Sequence, residues 1–292
     1  MIAMSAPEAL VIDQAIDTAR YPLTDPTSAP WRAAVSAARH ELRRDGCSVL
    51  PDFIRPALRD TLRRECAEVA PLAHFDVERV NAYNIPIDAE LPDDHPGRII
   101  LERGNAFVAR DRIPDGSIIH QLYTSELFQR FVAECFELEK LHEFADPLAG
   151  LCLNVVSPGM GHPWHFDTNE FTVSMLTQES GDGGVFEYCP NIRSAHAENF
   201  GDVGDVLAGN GDRLIRRLTL RPGDLQLFKG RYSLHRVTPV SGETARHSAI
   251  FAYSERPGVI GNVERTRQLF GRVLPEHLAA AGRTVRGDQL LD

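Results

Sequence analysis

The chain has 292 residues, 43% of them hydrophobic and 25% charged, with a net charge of −10 at pH 7. That length supports a sizeable core in one large domain or two small ones. The negative balance argues against a nucleic-acid partner, because phosphate binding needs a basic surface; a local basic pocket for a small anion is still compatible with it. Cys47, Cys66, Cys135, Cys152 and Cys189 are widely spaced and form no CxxC pair, so they read as buried free thiols of a reducing compartment. There is no basic-then-apolar leader, and no apolar run is long enough to span a bilayer. The expectation is a cytoplasmic protein that acts on a small molecule, with no membrane partner and an open oligomeric state.

Residues 1–30 contain Pro7, Pro22, Pro26 and Pro30 with weak periodicity, and read as an extended or partly disordered arm. From Trp31 the pattern turns helical: Trp31, Ala34, Val35, Ala38 and Leu42 share one face, and Gly46 ends the helix. Cys47 to Phe53 reads as a strand, followed by a helix from Pro56 with Leu58, Leu62, Cys66 and Val69 on one face. Residues 71–120 are irregular, apart from the short apolar stretch Ala106 to Ala109. A third helix is expected from Ser125 to Leu141.

At Gly150 the period changes from helical to two. Leu151, Leu153 and Val155 alternate with Cys152, Asn154 and Val156, which marks a strand. Phe171 to Thr177, Val185 to Tyr188, Arg217 to Leu220, Leu225 to Phe228, Ser233 to Val237 and Arg246 to Tyr253 read likewise, separated by Pro- and Gly-containing turns. Many short strands so spaced indicate a β-sandwich or barrel. A helical insertion is expected within residues 196–210, and a last helix over Val263 to Ala281. The predicted class is α+β: one domain over residues 31–292, with a helical and lid half (31–149), a β core (150–255) and a C-terminal helix (256–292).

His-Phe-Asp occurs twice, at His74 to Asp76 and at His165 to Asp167. The first copy follows a helix with no β pattern around it and reads as a coincidence. The second lies between a Pro-Gly-rich loop and a clear strand, and in extended backbone residues 165 and 167 project from one face. His235, on a later strand, is the best third partner. Two histidines and one carboxylate form a facial triad that leaves three metal positions open, as iron(II) oxygen chemistry requires; zinc accepts the same ligands. If Ser241-Gly242 is a hairpin tip, His235 pairs near Ser248 and Val237 near Arg246, which puts His235, Arg246 and Ser248 on one face. An inward arginine in a β core needs an anion, and its planar fork suits a carboxylate.

These elements, with the run from Arg221 to Val240, resemble the iron(II)/2-oxoglutarate-dependent oxygenases over residues 150–255. The resemblance implies a double-stranded β-helix (jelly-roll) fold. It implies iron(II) held by His165, Asp167 and His235, with O2 as co-reactant and 2-oxoglutarate chelating iron and salt-bridged to Arg246. Ser248 and Asn154 stand beside that site. His162 to Phe171, Gly183 to Arg193 and Asn105 to Val108 are similar to the free-amino-acid halogenases and their hydroxylase relatives. Halogenases of that group carry a small residue in place of the metal carboxylate; this chain keeps Asp167, which favours hydroxylation of a C–H bond with release of succinate and CO2. Candidate substrate contacts are His162 and Trp164 beside the metal loop, and Arg103, Asn105 and Arg110 in the lid-like segment. The competing readings are desaturation or cyclisation by the same cofactors, a non-catalytic metal-binding jelly-roll protein, and a cupin-type hydrolase or isomerase.

Overall fold

The computed structural model describes residues 12–282 and 290–291. In chain order its regular elements begin with α1 (Ile12–Ala15), α2 (Ala29–Asp45), β1 (Cys47–Leu50), α3 (Arg59–Val69), β2 (His74–Phe75), β3 (Glu78–Val80), β4 (Leu101–Arg103) and β5 (Ala106–Val108). They continue with α4 (Ile118–Thr124), α5 (Glu126–Cys135), β6 (His142–Glu143), β7 (Leu151–Val156), β8 (His162–His165), β9 (Thr172–Gln178) and β10 (Phe186–Tyr188). The remainder are α6 (Phe200–Leu207), β11 (Arg216–Leu218), β12 (Leu225–Phe228), β13 (His235–Val237), β14 (Arg246–Phe251), β15 (Tyr253–Ser254), α7 (Val263–Phe270) and α8 (Pro275–Ala280).

Two antiparallel sheets face each other, as in a jelly roll. The larger has the order β1-β12-β9-β14-β7-β5-β2, the smaller β11-β10-β13-β8. Alternation on the larger sheet divides two environments. Leu151, Leu153, Val173, Met175, Leu225, Leu227 and Ala249 join the core shared with the helices. The residues between them, Cys152, Asn154, Ser174, Gln226, Ser248 and Ile250, line the cavity between the sheets. Helix α2 shows how the outer layer is fixed. Ser28 caps it by accepting from the Trp31 N–H, and Trp31, Val35, Ala38 and Leu42 form its buried stripe. Trp31 meets Phe131 of α5 edge-on at 4.9 Å; burying a large apolar side chain in this way contributes about 1.5–3 kcal/mol.

Several expectations need correction. The N-terminal segment is not a loose arm over its described part: Ala15, Ile16, Tyr21 and Leu23 are buried in the main core, and Ile16 bridges Ile54. Residues 1–11 of that arm lie outside the described residues, as do 283–289 and 292 of the C-terminal segment. The stretch 71–120 holds four short strands and the start of α4, and β1, β2 and β5 extend the larger sheet, so the boundary at residue 150 is not a boundary of the sheet. The third helix stops at Cys135, because Glu137 adopts a left-handed φ of 63°. The C-terminal helix is two helices. Gly271 ends α7 at φ 68°, and a Cβ there would lie 2.6 Å from the His74 ring. His74 and Phe75 form a strand after all, paired with β5.

Candidate metal and cosubstrate site

The triad residues come from adjacent strands of the smaller sheet. His235 of β13 pairs with His165 of β8, and Asp167 follows β8. Nε2 of His165 and Nε2 of His235 stand 3.7 and 3.5 Å from the same Asp167 Oδ1. One ligand atom from each residue fits within 4.8 Å of the others, which a single ion can span. The hydrogen bonds behind these atoms fit a metal. His165 Nδ1 lies 2.8 Å from the Pro163 carbonyl and His235 Nδ1 2.9 Å from the Ser233 carbonyl. A carbonyl only accepts, so each Nδ1 carries the proton and each Nε2 keeps its lone pair, the arrangement typical of metal-ligating histidines. Thr172 Oγ1 donates to Asp167 Oδ2 at 2.7 Å, which leaves Oδ1 free to bind.

Electrostatics favour the same protonation states. Burial, followed by His235, holds His165 well below its usual range. Burial works to protonate Asp167, but His235, His165 and the Thr172 hydroxyl outweigh it and hold the carboxyl well below its usual range. With both Nε2 atoms turned to one oxygen of an ionised Asp167, the site presents donors for a divalent cation.

Arg246 and Ser248 occupy β14, on the opposite sheet, so the expected hairpin pairing of 235 with 248 does not form. β13 pairs with β10 and β8, whereas β14 pairs with β7 and β9. The chain crosses between sheets over residues 238–245, and His235 and Arg246 face the same cavity from opposite walls. Ser248 sits directly across from Asn154. Arg246 is buried, donates to Ser248 Oγ at 2.6 Å, and has no carboxylate partner among the described residues. Burial alone lowers its pKa to about 10, so it remains a cation at neutral pH. A buried guanidinium without a counter-ion is costly; the carboxylate of a small ligand would satisfy it.

The cavity holds about 540 Å³, within the range of sites that enclose small molecules. His162 lines it and stacks on His165, with ring centroids 3.8 Å apart. Its Nδ1 lies 3.4 Å from Asn105 Nδ2, which also donates to Asn154 at 2.8 Å. Asn105 thus supports the cavity wall without lining it. Burial, then His165 and Arg103, holds His162 well below its usual range. Three expected substrate contacts fall elsewhere. Trp164 is buried in the cluster behind the smaller sheet, under the Arg236 guanidinium at 4.6 Å. Arg110 pairs with Glu143 at 3.0 Å and lies over Tyr123. Arg103 donates to Glu78 and does not line the cavity. Residues not anticipated include Thr172, which orients Asp167, and Ser174 and Gln226, hydrogen-bonded to each other at 3.1 Å. Alternation with Leu225 and Leu227 is the signal that could have found Gln226. Arg265 and Leu269 of α7 also line the cavity; the sequence carried no signal for which way that helix faces.

Solved structures share this architecture. A prolyl hydroxylase from Trichoplax adhaerens, in complex with a hypoxia inducible factor oxygen degradation domain peptide fragment, aligns over 79% of this chain and 96% of its own, at 16% identity and TM-score 0.51. AviO1 from Streptomyces viridochromogenes aligns over 77% and 96%, at 15% identity and TM-score 0.50. The epimerase SnoN, solved with Fe3+, alpha ketoglutarate and nogalamycin RO, aligns over 76% and 84%, at 15% identity and TM-score 0.50. At these identities the likeness is one of fold. No curated protein sequence matches the chain. A family model described as Halogenase D matches residues 31–267, and the chain belongs to that family. That membership, together with the jelly roll and a His-Asp-His site that one ion could occupy, makes it an iron(II)/2-oxoglutarate-dependent oxygenase.

Proposed function

We propose that this oxygenase hydroxylates an unactivated C–H bond of a small substrate such as a free amino acid or related metabolite. The observation that carries the reading is Asp167: its Oδ1 completes the triad while Thr172 holds Oδ2. A carboxylate fills the coordination corner that a halogenase leaves to a halide, which supports oxygen transfer in this member of the family.

His165, Asp167 and His235 would hold iron(II). Arg246, with Ser248 and Asn154 beside it, would hold the distal carboxylate of 2-oxoglutarate. When bound, the metal and cosubstrate supply O2 activation coupled to release of succinate and CO2. The chain's own part is positioning and shielding. The Pro163 and Ser233 carbonyls fix the two imidazole planes, His162 braces His165, and Phe107, Phe228 and Ile250 give the cavity water-excluding walls. All five cysteines are buried free thiols, which supports a reducing, cytoplasmic setting. Among the described residues no helix is long and apolar enough to cross a membrane.

The test is anaerobic incubation with iron(II) and 2-oxoglutarate, reading the weak visible charge-transfer band, followed by O2 and measurement of succinate. Mass spectrometry across a metabolite panel then reads the outcome. Gain of one oxygen atom is expected; loss of two hydrogens would replace hydroxylation by desaturation or ring closure. Absence of both band and succinate would remove the oxygenase reading.

A further inference from the structure

The cavity carries a second guanidinium that neither the metal nor the cosubstrate uses. Helix α7 lays one face over the cavity: Arg265, Thr266, Leu269 and Phe270 all line it, together with the capping residue Asn262. Their spacing is that of a single helical face. Arg265 is half-buried there. Its side chain reaches Gln268 at 3.2 Å, and among the described residues no carboxylate pairs with it; the nearby Glu78 is engaged by Arg103. Arg265 lines the same cavity as His162, His165 and Asp167. Burial, then the neighbouring Arg103, holds its pKa down to about 9, and it is a cation at neutral pH. Among the described residues Asp167 is the only acidic one lining the cavity, and it belongs to the metal site. An ammonium group entering the cavity would find two arginines and no free carboxylate.

We infer that Arg265 binds a carboxylate of the substrate, so that the enzyme acts on a small organic acid whose remaining body is apolar. That body would rest against Phe107, Ile250, Leu269 and Phe270, which line the same space. The arrangement divides labour between the arginines: Arg246 takes the cosubstrate and Arg265 the substrate. This assignment rests on the oxygenase reading of the same cavity.

The experiment is anaerobic calorimetric titration of the protein saturated with iron(II) and 2-oxoglutarate. The probes are hexanoate, hexanamide and hexylamine. Hexanoate should bind, and hexanamide and hexylamine at least about tenfold more weakly, the worth of a charge-assisted contact. Arg265→Gln should erase that preference, and Arg265→Lys should keep part of it. Equal binding of carboxylate and amide, no binding of hexanoate, or a preference that survives in Arg265→Gln would each overturn the proposal. So would loss of 2-oxoglutarate binding in Arg265→Gln but not in Arg246→Gln, because Arg265 would then anchor the cosubstrate. A wild type that prefers carboxylates but never yields succinate keeps this assignment and removes the oxygenase reading. One that yields succinate without that preference does the reverse.

Discussion

Gly230 is pressed against the carboxylate that defines the metal site. It lies in the turn between β12 and β13, and its carbonyl accepts from the Asp167 N–H at 3.1 Å. A Cβ on Gly230 would lie 1.8 Å from Asp167 Oδ2 and 2.6 Å from its Cγ. Non-bonded carbon contacts settle at about 3.5–4 Å, so in Gly230→Ala the carboxylate must retreat by roughly 1.5 Å or the turn must open. Retreat breaks the 2.7 Å bond from Thr172 and removes Oδ1 from its place between the two imidazoles. Loss of an orienting partner costs about 10- to 100-fold in metal affinity, and overpacking costs about 1–3 kcal/mol in stability. The assay is anaerobic titration with iron(II) at saturating 2-oxoglutarate, followed by the visible band, beside denaturant unfolding of the same sample. Gly116→Ala is the control, since a Cβ there meets nothing within 4 Å. A Gly230→Ala protein that binds iron(II) as tightly as the wild type would refute the claim that this pose of Asp167 is the one that holds the metal.

Arg246→Gln should weaken 2-oxoglutarate binding by at least about 30-fold, because it removes a buried charge from a charged ligand, while metal binding on the triad persists. Unchanged 2-oxoglutarate affinity in calorimetry would move the cosubstrate elsewhere. His247 makes a separate, pH-dependent prediction. It is buried on β14, and burial followed by the Arg246 charge lowers its pKa from 6.5 to about 4. The folded state therefore resists a proton that the unfolded chain accepts. Full stability is present above about pH 6.5 and is lost as the pH falls toward 4. At about 1.4 kcal/mol per pH unit the loss approaches about 3 kcal/mol. Between pH 7 and pH 4 the wild type should lose about that much more unfolding free energy than His247→Gln; equal losses would show that His247 does not carry the effect.

The parts of the site visible in the sequence were those encoded by local alternation. The period of two over Leu151 to Val156 placed Asn154 opposite Leu153, and the structure has them on opposite faces of β7. The same rule separates Trp164 from His165 and would have kept Trp164 out of the cavity. His162 breaks the rule, because an irregularity in the β8–β13 register brings it onto the same side as His165. Such a bulge leaves no periodic trace. Sheet membership was the larger gap. The residues between Val237 and Arg246 read as a hairpin, yet they carry the chain from one sheet to the other, and alternation gives a face without saying which sheet. Helix α4 did have a signal: Ser117 accepts from the His120 N–H, and Ile118, Ile119, Leu122 and Tyr123 form its buried stripe.

The crossing between sheets has an energetic consequence that a hairpin would not. The triad stands on and beside the smaller sheet and Arg246 on the larger. A metal alone ties together β8, β13 and the segment after β8, and a carboxylate alone occupies β14. A dicarboxylate that reaches both the metal and Arg246 joins the two walls, and each ligand then finds a partner already positioned. Their stabilisations should therefore exceed the sum of the separate effects. Ligand at about 100 times its dissociation constant adds about 2.7 kcal/mol to unfolding free energy, enough to read as a Tm shift of several degrees in a chain of this size. Iron(II) with 2-oxoglutarate, measured anaerobically, should raise Tm by more than the two shifts added. In Arg246→Gln that excess should disappear while the shift from metal alone remains. Strictly additive shifts in the wild type would mean that the two ligands do not bridge the cavity, and that Arg246 and the triad serve separate molecules.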